Sequence, residues 1–191
     1  MRNLGRRVLW SVGIAGVAFV LLNAQFFWVN FQYTFSQPPS PGPEPLKMAP
    51  NTLLVASLRI KAPVHYVAED AEAVFQQALQ NGVVHYPGTA QPGEPGNVYI
   101  FGHSSDNAWA KGQYKTVFAL LPRIEKGAPI LLSDAEGRIF TYLVRDNFSI
   151  SVRDRRWLSQ ENSERRLLTL QTSYPVGTSL GRYIVVAELT E

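Results

Sequence analysis

The sequence predicts a mainly β fold: a closed or nearly closed β-barrel of about eight short strands with short helices, preceded by one N-terminal transmembrane helix. The 191-residue chain opens with a long apolar segment, continues through a proline-rich stretch, and then alternates short β-type runs with Gly and Pro turn signals. A hydrophobic content of 46% with 12% aromatic residues indicates a folded chain. Its length suffices for one ordinary domain with a core, plus an appendage.

The N-terminal segment predicts a membrane anchor over residues 8–29. Val8 to Leu22 is almost entirely apolar, and the apolar character continues to Val29, so the segment meets the ~20 residues that a helix needs to cross a ~30 Å hydrocarbon layer. Three arginines precede it, which predicts a cytoplasmic tail over residues 1–7 and an external domain. A cleaved signal peptide is the alternative, disfavoured by the large Leu22 at the −3 position of Leu22-Asn23-Ala24. A buried core helix is disfavoured because the segment is apolar all round.

Residues 30–50 are predicted to form a stalk. Six of the chain's 13 prolines lie between Pro38 and Pro50, and such a segment favours extended, semi-rigid conformations. A disordered linker without a spacing role is an equally open interpretation.

Charge and cysteine content exclude several functions. The net charge of +3 is carried by Arg2, Arg6 and Arg7, whereas residues 51–191 hold 14 basic and 14 acidic side chains. Nucleic-acid binding needs a concentrated basic face, so no nucleic-acid partner is expected. The absence of cysteine excludes disulfides, thiolate metal sites and a thiol nucleophile.

The first half of the 51–191 domain reads as strands around one helix. Thr52–Ile60 is a predicted strand that ends before Pro63. Asp70 is a candidate cap for a helix over Ala71–Gln80, which Asn81-Gly82 stops. The next elements are two strands and an intervening Pro- and Gly-rich loop: Val83–Tyr86, Asn97–Phe101 and Pro87–Gly96.

The second half adds one helix and five strands. Helical patterning covers Trp109–Leu121, and Pro122 closes it. A hairpin turn at Ser133–Gly137 joins two strands, and Asp154–Arg166 suits a surface helix or loop. The predicted strands are Ile130–Leu132, Arg138–Val144, Asn147–Val152, Leu167–Thr172 and Tyr183–Leu189.

Three motifs follow one another along this domain. They are Gly96–His103 (GNVYIFGH), Leu168–Ser173 (LTLQTS) and Arg182–Ala187 (RYIVVA). In this order they resemble the strands of sortases, the membrane-anchored transpeptidases that attach proteins to bacterial surfaces. The resemblance covers roughly residues 52–190 and departs from the family at one position, since sortases carry cysteine where this chain has Ser173.

The resemblance implies a site and partners. His103 would be the proton shuttle, Ser173 the nucleophile and Arg182 the cation that steadies substrate and oxyanion, with Thr172 and Leu170 contacting substrate. It implies proteins with an LPxTG-like sorting signal as donors and an amine on the cell wall or another protein as acceptor. No cofactor is expected, and calcium, which can serve in the family, is left unspecified. The protein would sit in the cell membrane with its catalytic domain outside.

Several alternatives stay open. A serine hydroxyl needs a base during attack, so the chain could be an inactive homologue that binds sorting signals, or a hydrolase with water as acceptor. An unrelated barrel with chance motifs is a further alternative. Asp106 could contact His103 or cap a helix. His65 and His85 are expected to be structural or surface residues, and the arginines at 153, 155, 156, 165 and 166 a solvated face.

Overall fold

The computed structural model describes residues 2–35, 47–105, 112–160 and 164–190, with the backbone alone for residues 2–9 and 11. Residues 52–189 form an eight-stranded closed barrel in the order β1-β2-β3-β4-β7-β8-β6-β5, which confirms the predicted fold class. Its strands are β1 (Thr52–Val55), β2 (Ile60–Tyr66), β3 (Val83–His85), β4 (Gly96–Phe101), β5 (Pro129–Ser133), β6 (Ile139–Ser151), β7 (Arg166–Tyr174) and β8 (Gly181–Leu189).

The first predicted strand is in fact two. A 3-10 turn at Ala56–Leu58 interrupts it, and Arg59 takes a left-handed conformation (φ 56°) that reverses the chain into β2. Pro63 lies inside β2 and does not end it. The amide of the next residue, Val64, points toward β1 and donates to Asn51 O at 2.7 Å. Because successive residues of a strand alternate, the nitrogen of Pro63 points away from β1, toward the side of β2 that pairs with β3. That pairing begins only at Val64, so no hydrogen bond of the sheet is lost at Pro63.

Alternation along the strands fills the barrel with apolar side chains. The largest fully buried ones include Tyr142, Leu53, Ile130, Leu168 and Leu170. The phenol of Tyr142 accepts a hydrogen bond from Gly93 N at 2.9 Å, which satisfies a polar group in an otherwise apolar interior.

A short helix, α3 (Glu72–Leu79), covers the outside of the barrel close to its predicted position. Phe75 and Leu79 pack on Val84 of β3 and form a second apolar cluster with Phe101. Ala71 occupies the N-cap without a side-chain bond. Asp70 instead accepts a hydrogen bond from the Tyr86 hydroxyl, so its predicted capping role is wrong.

The helix predicted over Trp109–Leu121 is not formed where the structure describes it. Residues 115–120 make turns and Leu121–Arg123 a single 3-10 turn with Pro122 inside it. The amide of Phe118 donates to His103 O at 2.9 Å, and its ring is fully buried. This tertiary contact takes a donor that an α-helix would have used internally. Residues 106–111, including Asp106 and Trp109, lie outside the described residues.

Two helices replace the single N-terminal helix that the sequence predicts. They are α1 (Arg2–Leu22) and α2 (Ala24–Phe35). Among the described side chains, no single helix reaches the length and apolar character of a membrane span; only the pair Val12–Leu22 and Ala24–Phe35, bent by 69°, does so together. Helix α2 also extends into the predicted stalk, of which residues 36–46 lie outside the described part.

Candidate active site

Strand pairing brings the three predicted catalytic residues to one edge of the barrel. β4 and β7 are parallel neighbours with Phe101 opposite Gln171, so the chain leaving β4 places Gly102 and His103 beside the end of β7. β7 and β8 are antiparallel, and Ser173 lies directly opposite Arg182. Cβ atoms of directly opposed residues are about 4.5–5.5 Å apart, so the serine and the arginine are neighbours on one face of the sheet.

All three side chains line one cavity of about 350 Å³. Its floor is the outer face of β4 and β7, with Tyr99, Phe101 and Gln171. One wall comes from α3 and the segment before it, and the other from the chain after β6, residues 152–158.

The backbone around His103 is fixed from several directions. Gly102 N donates to Gln171 O at 3.1 Å, and His103 O accepts from Phe118 N at 2.9 Å. The hydroxyl of Ser105 accepts from Gly177 N at 3.0 Å, which ties this segment to the loop between β7 and β8. The histidine therefore sits on a braced strand end next to the serine strand, the rigid placement that a proton-transfer group requires.

The three sequence motifs and the closed eight-stranded barrel both agree with one protein family. The sortase domain model matches residues 53–190. The chain belongs to the sortase family. Sortases are transpeptidases that act on the sorting signals of surface proteins, and residue 173 of this sortase is a serine.

Solved sortases share the fold of this chain. Sortase C-1 from Actinomyces oris is similar at 23% identity and a TM-score of 0.61, over 73% of this chain and 72% of that chain. A sortase D5 transpeptidase from Clostridium perfringens is 24% identical, with a TM-score of 0.59 over 73% of this chain and 78% of that one. Sortase A from Corynebacterium diphtheriae is 21% identical, with a TM-score of 0.60 over 73% and 60%. No curated protein matched the chain.

The two predicted substrate-contacting residues lie differently from expectation. Leu170 is fully buried in the barrel interior and does not line the cavity, so its assignment to substrate is corrected. Alternation puts Leu168, Leu170 and Thr172 on the inward face and Gln171 and Ser173 on the outward face. Thr172 reaches the cavity, but its hydroxyl is buried and donates to Gly102 O at 2.8 Å. Its side chain therefore holds the His103 segment.

The sequence did not identify two residues on the cavity floor, Tyr99 and Gln171, as part of the site. The Tyr99 hydroxyl donates to Gln171 Oε1 at 2.5 Å. Burial raises the pKa of Tyr99, and the nearby positive charge of Arg182 opposes that rise only in part. The phenol therefore stays protonated and fixes the Gln171 amide beside the serine. The sequence did contain a signal for Gln171: side chains two positions apart in a strand lie on the same face, and Gln171 precedes Ser173 by two positions.

Charges of both signs surround the floor. Asp70 and Glu72 stand on the α3 side, and Arg155 stands on the other side with Asp154. The carboxylate of Asp154 pairs with Arg156 at 2.6 Å, and this hydrogen bond lowers the pKa of Asp154. The guanidinium of Arg182 has five N–H donors, of which one goes to Gly181 O at 3.0 Å. The cavity can thus supply donors to a peptide carbonyl beside the serine.

The remaining predicted residues have separable roles. The five arginines are exposed, as predicted for a solvated face. Within it, Arg165 pairs with Glu188 at 3.0 Å, Arg156 pairs with Asp154, and Arg155 also lines the cavity. His85 is buried with Nε2 2.9 Å from Ala90 O, in keeping with a structural role. In the described ranges, no group of three or more His, Cys, Asp or Glu side chains could hold a metal ion.

Proposed function

We propose that this sortase is a membrane-anchored acyl transferase that cleaves an LPxTG-like sorting signal and joins it to a surface amine. The observation that carries the proposal is that His103, Ser173 and Arg182 line one open cavity. A nucleophile, a proton shuttle and a cation are the groups that amide cleavage through an acyl-enzyme requires.

The reaction assigns one step to each group. The Ser173 oxygen attacks the carbonyl carbon of the signal's amide while the His103 imidazole accepts the hydroxyl proton. The C–N bond breaks, an ester forms on Ser173, and the imidazolium returns the proton to the leaving amine. The acceptor amine then attacks the carbonyl carbon of the ester while its proton passes to His103. A new amide forms, the C–O bond to Ser173 breaks, and His103 returns the proton to the serine oxygen. Arg182 stabilises the negative charge on the carbonyl oxygen in both steps, and water as acceptor gives hydrolysis.

Serine makes the first step harder than cysteine would. A thiol has a pKa near 8.5 and is partly ionised at neutral pH, whereas a hydroxyl must lose its proton during attack. The complete absence of cysteine therefore supports a second candidate function, a catalytically silent member that binds sorting signals or scaffolds surface assembly.

The proposal places the protein in the cell membrane. The apolar N-terminal segment would anchor it, with the three arginines on the cytoplasmic side and the barrel outside. Its partners would be proteins that carry sorting signals and an amine on the cell wall or on another protein.

The test uses the full chain in detergent with a quenched fluorescent LPETG peptide and triglycine as acceptor. The transferase proposal expects a peptide–triglycine product, lost in Ser173→Ala and faster in Ser173→Cys. Release without transfer would show a hydrolase. Peptide binding without turnover in wild type, with turnover restored by Ser173→Cys, would establish the silent binding role. If neither form binds or cleaves the peptide, both candidate functions are refuted for this signal.

A further inference from the structure

Helix α2 has two apolar faces, and the described residues of the chain cover only one of them. At about 100° per residue, the half-buried positions Phe26, Val29 and Tyr33 fall on one side of the helix, and Val29 and Tyr33 pack against the barrel core. Phe27, Trp28, Phe31 and Phe35 fall within an arc of about 100° on the opposite side. These four aromatic side chains are between 40% and 74% exposed.

The covered face is attached to the barrel by specific contacts. Val29 and Tyr33 pack against the main core, and the Arg123 guanidinium lies over the Tyr33 ring, 5.3 Å from its centroid. Arg123 Nη1 also donates to Thr34 Oγ1 at 3.4 Å. The helix is therefore attached to the surface of the barrel, although its residues were predicted to belong to the membrane anchor (up to residue 29) and to the extended stalk (from residue 30).

The bend between α1 and α2, at Asn23, contacts the loop between β7 and β8. Asn23 Nδ2 donates to Phe19 O at 2.9 Å within the bend. A Cβ built on Gly177 would lie 2.7 Å from Asn23 Oδ1, so the bend and the β7–β8 loop are in close contact. Gly177 in turn binds Ser105, two residues after His103. The same loop carries Leu180, which is 77% exposed.

We propose that the four exposed aromatic rings of α2 lie in the outer membrane–water interface and seat the barrel on the bilayer, with the β7–β8 loop held next to the lipid surface. This inference rests on the membrane anchoring proposed above. The site would then work at the membrane surface, on substrates and acceptors that are themselves held there.

A lipid surface fits this face better than a second protein. The face follows directly on α1, whose apolar residues 8–22 span about 22 Å at 1.5 Å per residue, and a 69° bend between Val12–Leu22 and Ala24–Phe35 turns α2 away from that direction. Helix α2 carries no charged side chain. Trp and Phe on an amphipathic helix settle at the headgroup boundary, with the apolar face about 5–10 Å deep.

The chain's lack of cysteine makes a depth measurement direct. The single-cysteine variants Phe27→Cys and Phe31→Cys place a label on the aromatic face. Gln25→Cys is the matched control on the flank of the same helix. Glu136→Cys is the control for full water exposure, at an exposed position on the barrel. Each full-length variant is spin-labelled, reconstituted into phosphatidylcholine–phosphatidylglycerol vesicles, and its accessibility to oxygen and to a water-soluble nickel complex is compared.

The expected result is a depth of about 5–10 Å for labels at 27 and 31, a shallower position for 25, and full water exposure for 136. Labels at 27 and 31 as water-exposed as 136, labels near the bilayer centre, or spin–spin broadening from a second copy would each overturn the inference. Flotation with the vesicles separates the two proposals. A chain that fails to float refutes the anchoring and this inference together, whereas a floating chain with water-exposed labels refutes this inference alone.

Discussion

The hydrogen bond from Thr172 to Gly102 O gives a sharp test of how the site is held. Thr172 is 1% exposed and its hydroxyl donates at 2.8 Å to the carbonyl of the residue before His103. Thr172→Val keeps the branched shape and most of the volume but removes the donor, so the buried carbonyl loses this hydrogen bond without a cavity being formed. Leaving a buried acceptor unsatisfied costs about 1–3 kcal/mol, so the free energy of unfolding should fall by about that much.

Urea denaturation followed by tryptophan fluorescence measures this change through the midpoint at constant slope. Thr172→Ser retains the hydroxyl and controls for the bond. Thr178→Val removes an exposed hydroxyl that donates to Pro175 O at 2.7 Å and should shift stability by no more than about 0.5 kcal/mol. Peptide turnover should fall in Thr172→Val, because Gly102 positions His103, and should persist in Thr172→Ser. A Thr172→Val protein as stable as Thr178→Val would refute the assigned role.

Three further predictions concern stability. Leu170→Ala should cost about 2–5 kcal/mol by urea denaturation, because it empties a fully buried core position. Gly82→Ala should cost about 1–3 kcal/mol or more in the same assay, because the added Cβ would overlap the backbone oxygen of Pro63. Burial lowers the pKa of His85, so the unfolded chain binds a proton on this imidazole more readily than the folded chain does. Stability should therefore fall as the pH drops below about 6.5. In His85→Gln, the melting temperature should depend less on pH in that range.

Each of these predictions has a defined contrary outcome. Leu180→Ala, at a 77% exposed position, is the control for Leu170→Ala, and equal effects of the two would contradict the placement of Leu170 in the core. A Gly82→Ala protein of wild-type stability would contradict the prediction, because the backbone of β2 at Pro63 would then move away from the added Cβ at little cost. An unchanged pH profile in His85→Gln would assign the acid sensitivity to other groups.

The barrel and its motif strands were predictable because their signals are local. Alternation and Gly or Pro punctuation mark the strands, and three motifs in order identify the site edge. The same alternation places Leu170 inward with Leu168, but which face is inward depends on how the barrel closes, and this led to the wrong assignment.

The failures occurred where tertiary contacts override local pattern. The Phe118 amide donates to His103 O, so the predicted helix after residue 109 does not form over its described part. Likewise, apolar composition alone predicts one straight helix through Asn23. The contacts of α2 with the barrel, through Val29 and Tyr33, involve residues far away in sequence and could not be read from the segment itself.

The most direct test of the central claim is the location of an acyl group. Wild-type full-length protein is incubated with an LPETG peptide and no acceptor amine, quenched in acid, and analysed by intact-mass and tandem mass spectrometry. The transferase account predicts an added acyl mass in ester linkage on Ser173, absent from Ser173→Ala. An adduct on another residue would contradict the assignment of Ser173 as the nucleophile. No adduct in wild type, while Ser173→Cys is acylated, would contradict acyl transfer and leave peptide binding as the function of this cavity.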